Sequence, residues 1–286
     1  MEGGCEEFPP FCKFNGGECV KKKRGNWLRT IVLMIACLVF LYSAYQLYNI
    51  YSEYNKGEKE YETIIDKTVT IEEPKEEEKT NEGQEVTSLT PHVSLSIDFD
   101  KLRAMNPDIV GWIQFTEPQK ISYPMVKGEN NDQYLRTTVE NKRNTSGSIF
   151  VDAYNAGDFS DKNTFIYGHN MRNGSMFGQL KKYREQEFYN QYPYFYIYTP
   201  DGNEVTYQIF AVCVVESDSE SYLKSYLDDQ EYIDYLKHIK SIALYDTGVV
   251  VDEKSQLVSL STCTNVKETE RLLVHGVKIS ESKMGE

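Results

Sequence analysis

The sequence predicts a mostly β domain, an antiparallel β-barrel or closed sheet with added helices, carried behind an N-terminal membrane anchor. Roughly eight short segments alternate apolar and polar residues with the period of half-buried strands, and turn residues separate them. One longer stretch in the C-terminal half has apolar residues at helical spacing. A third observation is an uncharged apolar segment near the N-terminus that is long enough to span a bilayer.

Residues 30–52 form that apolar segment and predict a transmembrane helix. The basic sequence KKKRGNWLR precedes it and mostly acidic residues follow it. The positive-inside rule therefore assigns residues 1–29 to a cytoplasmic basic tail and the rest of the chain to the outside. A cleaved signal peptide fits less well, because no convincing cleavage site of small residues follows a short apolar core, and a lipoprotein site at Cys37 fits less well, because the apolar run continues past that residue.

Residues 53–93 predict an acidic extracellular linker. The stretch IEEPKEEEKTNEGQE has too few apolar residues to bury a core and is expected to be solvated. The preceding YNKGEKEYETIID could continue the membrane helix for a few turns, with Gly57 as a weak point. The globular domain is then expected at 94–283.

The elements of this domain follow in order from local patterns. A short helix begins with Asp98 or Asp100 as its N-cap and ends at Asn106-Pro107, before a strand through Trp112. Further strands are predicted at SYPMVKG, SGSIFVD, NTFIYGHN, YFYIYT, NEVTYQIFAVCVVE, QLVSLSTC and RLLVHGVKIS. Helices are predicted at NNDQYLRTTV, at SMFGQLKKYREQEFYNQ and, as one or two helices, at ESYLKSYLDDQEYIDYLKHIKSIALY.

Composition and charge restrict what the protein binds. The formal net charge of −13, without a compensating basic face, argues against nucleic acid. The six cysteines are too few and too scattered for a disulfide framework in a domain of this size. Cys213 lies mid-strand among aliphatic residues, where packing is expected. Cys263 ends an apolar strand where a loop begins, so it is a candidate nucleophile, although a Cys213–Cys263 bridge stays possible.

Two histidines are candidates for acid–base chemistry. His169 follows a strand directly, where an imidazole can project from the strand end. His275 shares a strand face with Arg271, and spacing alone leaves it a candidate, although a histidine in an apolar strand is more often packed. If the strands of Cys263 and Arg271 pair, the guanidinium lies across from the thiol and suits an oxyanion. The alternative is a surface arginine paired with Glu268 or Glu270.

These segments together resemble the class B sortases. SLSTC is similar to the family signature that ends in the catalytic cysteine, RLLVHGVKI to its arginine strand, and NTFIYGHNM to its histidine strand. SGSIFVD and NGSMFGQLKKY also fit class B. The resemblance covers about residues 95–280. It implies a sortase-like eight-stranded β-barrel with N-terminal helices and a long helical insertion before the cysteine strand.

The resemblance also implies an activity, that of a membrane-held cysteine transpeptidase on a Gram-positive-type cell. Cys263 would attack the threonine carbonyl of a C-terminal sorting motif of a secreted protein, Arg271 would stabilise the charged oxygen, and His169 would protonate the leaving amine. A thioester forms, and a peptidoglycan cross-bridge or precursor amine then takes the protein. The family motif is of the Pro-x-Thr type. No metal or organic cofactor is implied.

Ser261 and Thr262 are predicted substrate contacts, and the insertion at 217–245 is expected to wall the groove. The chain departs from the family at Thr264 and Asn265, where some class B members carry acidic groups, so its motif preference can differ. A pilin-polymerising sortase, using a pilin lysine as the amine, is one alternative. A non-catalytic extracellular binding module with an inert Cys263 is another, and a hydrolytic cysteine protease is a third.

Overall fold

The computed structural model describes residues 27–71 and 93–284, together with two short strands, β1 (Phe14–Asn15) and β2 (Glu18–Cys19). The chain divides into two units, Met1–Tyr51 and Ser52–Glu286. Most of the predicted cytoplasmic tail, and residues 72–92 of the predicted linker, lie outside the described residues.

Four helices and ten further strands follow in the described chain. The helices are α1 (Trp27–Thr68), α2 (Phe99–Met105), α3 (Gln186–Gln191) and α4 (Asp229–Ser241), with 3₁₀ helices at Leu180–Arg184 and Glu220–Tyr222. The strands are β3 (Val69–Ile71), β4 (Leu95–Ile97), β5 (Ile109–Gln114), β6 (Ser122–Val126), β7 (Ile149–Val151), β8 (Asn163–Tyr167), β9 (Tyr194–Tyr198), β10 (Asn203–Glu216), β11 (Leu257–Cys263) and β12 (Glu270–Lys283).

Eight of these strands close into a barrel in the order β10-β12-β11-β8-β7-β6-β5-β9, which confirms the predicted eight-stranded barrel. Two neighbouring pairs are parallel, β6 with β7 and β8 with β11, so the expectation of a purely antiparallel sheet is wrong. Parallel neighbours need long crossover connections, and the alternation of apolar residues within a strand does not report the direction of its neighbour.

The helical insertion before the cysteine strand is confirmed and lies between β10 and β11. Its helix α4 is capped by Asp228, whose side chain accepts a hydrogen bond from the backbone N–H of Glu231 at 2.8 Å. The buried face of α4 packs against side chains of β10, β11 and β12 in a second hydrophobic cluster. This cluster encloses Cys213, as the aliphatic sequence around that residue predicts.

The segment NNDQYLRTTV, predicted as a helix, forms turns instead. The side chain of Asn130 accepts hydrogen bonds from the backbone N–H groups of Asp132 and Gln133, both at 3.0 Å. Asparagine side chains compete in this way with the helical hydrogen-bond pattern. The prediction from the sequence did not take these local hydrogen bonds into account.

In residues 53–71, the first part of the predicted linker, helix α1 continues to Thr68, as the sequence allows for YNKGEKEYETIID, but its residues are not all solvated. The C-terminal part of α1 packs on the barrel domain through Tyr61, 3% exposed, and Ile64, 1% exposed, and β3 then pairs with β4. Tyr61 also donates a hydrogen bond to the carbonyl of Gly147 at 2.8 Å. Because this segment is rich in charged residues, the prediction from the sequence missed the apolar face of the helix.

Gly57 lies at a close helix–loop crossing. A Cβ atom at this position would lie 2.7 Å from the Ser146 hydroxyl, closer than such atoms approach. The glycine therefore lets the helix contact the domain. Among the described residues, α1 is also the helix long and apolar enough to cross a membrane.

We expect Ile64→Ala to lower the free energy of unfolding by about 2–5 kcal/mol, because it removes buried methyl groups from a packed core. The control is Thr63→Ala, an exposed position one residue earlier on the same helix. Urea unfolding of the full chain in detergent micelles measures both. Equal stability of the two variants would show that this segment is the solvated linker that the sequence first indicates.

Candidate active site

The site is built on the strand register around β11. This strand pairs in parallel with β8, with Ser261 opposite Tyr167, and antiparallel with β12, with Cys263 opposite Arg271. Two residues beyond Tyr167 the chain reaches His169, and two residues beyond Ser261 it reaches Cys263. Because the two strands run in the same direction, both side chains leave the barrel at the same edge. The register thus brings the three predicted residues to one end of the sheet.

Hydrogen bonds fix the loops that carry these residues. The backbone N–H of Gly168 donates to the Ser261 carbonyl at 3.2 Å, and the Thr262 hydroxyl donates to the Gly168 carbonyl at 2.7 Å. The Asn170 side chain donates to the Cys263 carbonyl at 2.7 Å. Residues on both sides of His169 are therefore bonded to the end of the cysteine strand, which limits how far the two groups can separate.

A cleft of about 370 Å³ opens at this edge. Its lining includes His169, Cys263, Arg271, Ser261, Thr262, Leu135, Phe150, Tyr167, Tyr222, Asn131 and Lys224. The volume is within the range of pockets that hold a short peptide segment or a small ligand. In residues 27–71 and 93–284 no three His, Cys, Asp or Glu side chains cluster so as to hold a metal ion.

Cys263 is partly exposed in the cleft, and its thiol is free. Cys213 is buried and also free, so the bridge between the two is absent. Burial raises the pKa of Cys213 to about 12, which keeps that thiol protonated and unreactive. Of these two thiols, only Cys263 is accessible to a substrate.

Arg271 is held by backbone carbonyls. Its Nη1 donates to the carbonyls of Glu268 at 2.6 Å and Glu270 at 3.1 Å. Among the described residues, no ion pair joins Arg271 to the side-chain carboxylate of Glu268 or of Glu270. The guanidinium has five N–H donors, so these two bonds orient it and leave other donors for an anionic oxygen in the cleft.

The ring of His169 is oriented by a backbone acceptor. Its Nε2 lies 2.7 Å from the carbonyl oxygen of Leu135. A carbonyl only accepts hydrogen bonds, so Nε2 carries the proton in this contact. Nδ1 is then the ring atom that can give or take a proton in the cleft.

The side chain of His275 is fully buried and does not line the cleft. Its Nδ1 lies 2.7 Å from the Ser259 hydroxyl, which itself donates to Asn163 at 2.7 Å. Nδ1 therefore donates to the serine. Burial lowers the pKa of His275 to about 3, so the ring is neutral at physiological pH. The packed interpretation of this histidine agrees with these contacts.

Ser261 and Thr262 both line the cleft, but each is only 3% exposed and each hydroxyl already has a partner. The Ser261 hydroxyl lies 2.8 Å from the hydroxyl of Tyr222. Burial raises the pKa of Tyr222 to about 12, opposed by the Ser261 bond and the charge of Arg271. Sequence reasoning missed Tyr222 as a cleft residue, because its helical spacing indicated packing.

The chain was compared with known proteins. A family model described as the sortase domain matches residues 117–279. Sortase B of Listeria monocytogenes is 31% identical over 264 residues, an alignment that covers 92% of this chain and 99% of the relative. Bacillus anthracis sortase B in complex with AAEK1 has a TM-score of 0.64 and 29% identity, covering 81% of this chain and 100% of that chain. A Staphylococcus aureus sortase B–substrate complex has a TM-score of 0.60 and 29% identity, covering 64% and 84%.

We expect His275 to make the protein acid-sensitive. Below the usual histidine pKa of about 6.5 the unfolded chain binds a proton that the folded state excludes, so stability falls as the pH falls toward 3. Between pH 7 and pH 5 this amounts to about 2 kcal/mol. We expect His275→Gln to lack this loss while it keeps its turnover.

Urea unfolding of the full chain in detergent micelles at pH 7 and pH 5 measures the loss, with His238→Gln on α4 as the control. If the unaltered chain and His275→Gln lose the same free energy, the histidine is not buried neutral. Complete loss of turnover in a folded His275→Gln would move the acid–base role away from His169.

Proposed function

We propose, because this chain belongs to the sortase family and to its class B, that the cleft of Cys263 is the site of its transpeptidation. Sortases are cysteine transpeptidases that anchor surface proteins, acting on a sorting motif and a peptidoglycan amine. One observation carries the proposal: a free thiol, an imidazole and a guanidinium meet at one edge of the barrel, within one cleft.

The first half-reaction forms a thioester. The Cys263 thiolate attacks the carbonyl carbon of the threonine in the sorting motif, and the carbonyl oxygen takes the negative charge. The unused donors of Arg271 stabilise that oxygen. As the C–N bond breaks, His169 gives its Nδ1 proton to the leaving amine, and the acyl group stays on sulfur.

The second half-reaction returns the enzyme to its starting state. An incoming amine attacks the thioester carbon, His169 takes its proton, and the C–S bond breaks to release the thiolate. The new amide joins the threonine to a peptidoglycan cross-bridge or precursor. The contact between Nε2–H and Leu135 supports this role, because it holds the ring in one orientation while Nδ1 exchanges the proton.

The membrane arrangement is part of the proposal. One apolar helix fits a single span, and the positive-inside rule gives a cytoplasmic N-terminus and an external cleft. An external site suits both substrates, since the secreted protein and the peptidoglycan amine are outside. The sorting motif is of the Pro-x-Thr type.

The test is the intact mass of the full chain in detergent micelles after incubation with a panel of Pro-x-Thr peptides. We expect a mass gain equal to the N-terminal part of one peptide, ending at its threonine. Cys263→Ala abolishes the adduct, whereas the control Cys213→Ala keeps it. An added amine such as triglycine should divert the acyl group to a ligated peptide. An adduct that yields only the hydrolysed acid indicates a protease, and a free thiol that forms no adduct with any peptide contradicts the proposal.

We expect Arg271→Ala to cost about 3 kcal/mol of transition-state stabilisation, roughly a hundredfold or more in kcat, as for the loss of an oxyanion donor. The control is Lys267→Ala, which removes a positive charge from the same β11–β12 loop, where the lysine side chain is 65% exposed. Steady-state kinetics with the reactive peptide give both values. Equal rates for the two variants would mean that the guanidinium has no part in the reaction.

A further inference from the structure

A buried carboxylate lies directly behind the cleft wall. Asp152 follows β7, and its side chain is 0% exposed. Its Oδ1 accepts a hydrogen bond from the backbone N–H of Tyr154 at 2.9 Å. Its Oδ2 accepts from the Asn131 side chain at 3.1 Å, the Tyr167 hydroxyl at 2.8 Å and the Lys224 ammonium at 2.6 Å. One carboxyl group thus serves four donors.

Three of these donors line the cleft and come from separate parts of the chain. Asn131 belongs to the turns after β6, Tyr167 ends β8, and Lys224 belongs to the insertion before α4. Asp152 itself is not part of the lining. It therefore joins three side chains of the cleft wall from behind.

The chemistry of this position requires a carboxylate. Burial raises the pKa of Asp152, but the hydrogen bonds from Lys224, Tyr154 and Tyr167 outweigh it and hold the pKa below its usual value, so the group stays charged. An asparagine here would direct its NH₂ group at a donor, whichever way the amide turned. A buried ion pair also leaves an uncompensated charge when one partner is removed.

The insertion next to the cleft is attached on two sides, and on the side of α4 the Ser221 carbonyl accepts a hydrogen bond from Tyr235 at 3.0 Å and Tyr226 packs on Tyr232. We define the insertion wall as residues 217–227. The Tyr222 hydroxyl contacts Ser261, and the Ser217 N–H donates to the Thr269 carbonyl at 2.8 Å. After Tyr222 the wall returns to the barrel side through Lys224 and Asp152. Loss of the Lys224 contact would therefore loosen the cleft side of the wall locally, while its packing on α4 remains.

We propose that Asp152 is a positioning residue for transpeptidation: through Lys224, Tyr167 and Asn131 it fastens the insertion wall to the barrel in the geometry that binds the sorting peptide. The inference rests on the proposed function of the cleft. Asp152 acts on the shape of the peptide site and not on the reactivity of the Cys263 thiol.

The test compares Asp152→Asn with the unaltered full chain in detergent micelles. The control is Asp234→Asn, which makes the same change in an exposed ion pair of α4, where Asp234 contacts Lys237 at 3.0 Å. We expect amide hydrogen exchange of the insertion wall to become about tenfold faster and that of β11 to stay unchanged. We expect KM for the reactive Pro-x-Thr peptide to rise about tenfold, while the rate of Cys263 alkylation by iodoacetamide stays within about twofold.

The double variant Asp152→Asn/Lys224→Met separates positioning from stability. It leaves neither charge unpaired, so it should regain much of the stability that Asp152→Asn loses. The double variant still lacks the contact between residues 152 and 224, so the fast hydrogen exchange of the insertion wall and the raised KM should persist. The role of Asp152 is only structural if the exchange rates and KM of the double variant return to the unaltered values together with its stability. The same conclusion follows if neither the exchange rates nor KM change in Asp152→Asn.

Failure of the proposed function has a different signature. In that case the unaltered chain forms no adduct with any peptide of the panel. Hydrogen exchange of the insertion wall in Asp152→Asn then tests alone whether Asp152 holds the wall against the barrel. Exchange rates equal to those of the unaltered chain overturn the inference.

Discussion

The parallel pairing of β8 with β11 is the constraint on which the site depends. It sets the ends of two strands, distant in sequence, at one edge of the barrel, and the antiparallel partner β12 then supplies Arg271 opposite Cys263. A slip of one residue in the β8–β11 register would turn every side chain of one strand to its other face. The bonds from Thr262 and Asn170 to the neighbouring loop hold this register where the regular ladder ends.

A second layer of structure completes the cleft. The insertion between β10 and β11 covers one side of the sheet with α4, and its preceding segment brings Tyr222 and Lys224 to the cleft. Polar contacts hold these side chains, since Tyr222 contacts Ser261 and Lys224 contacts the buried Asp152. The barrel therefore fixes the reacting groups, whereas a smaller set of side-chain bonds fixes the wall beside them.

Local patterns predicted most strands, Asp98 as one of two candidate caps, and the position of the insertion, because alternation and capping are properties of neighbouring residues. The parallel direction of β8 and β11, and the folding of residues 52–71 onto the barrel, are relations between distant segments, and no local pattern carries them. The positions of His169, Cys263 and Arg271 at strand ends made them candidates, and the resemblance to a family assigned their roles. Asp152 was missed, because its four partners meet only in three dimensions.

The most direct test of the register is a cross-link between its two loops. The short bifunctional alkylating reagent 1,3-dibromoacetone first reacts with Cys263, and its second arm can then reach only a nucleophile in the same cleft. We expect a bridge to His169, seen as one peptide that joins the two residues after digestion and as the loss of both bromides. An adduct on Cys263 whose second arm never joins His169 would show that the thiol and the imidazole do not share one cleft, contrary to the β8–β11 register.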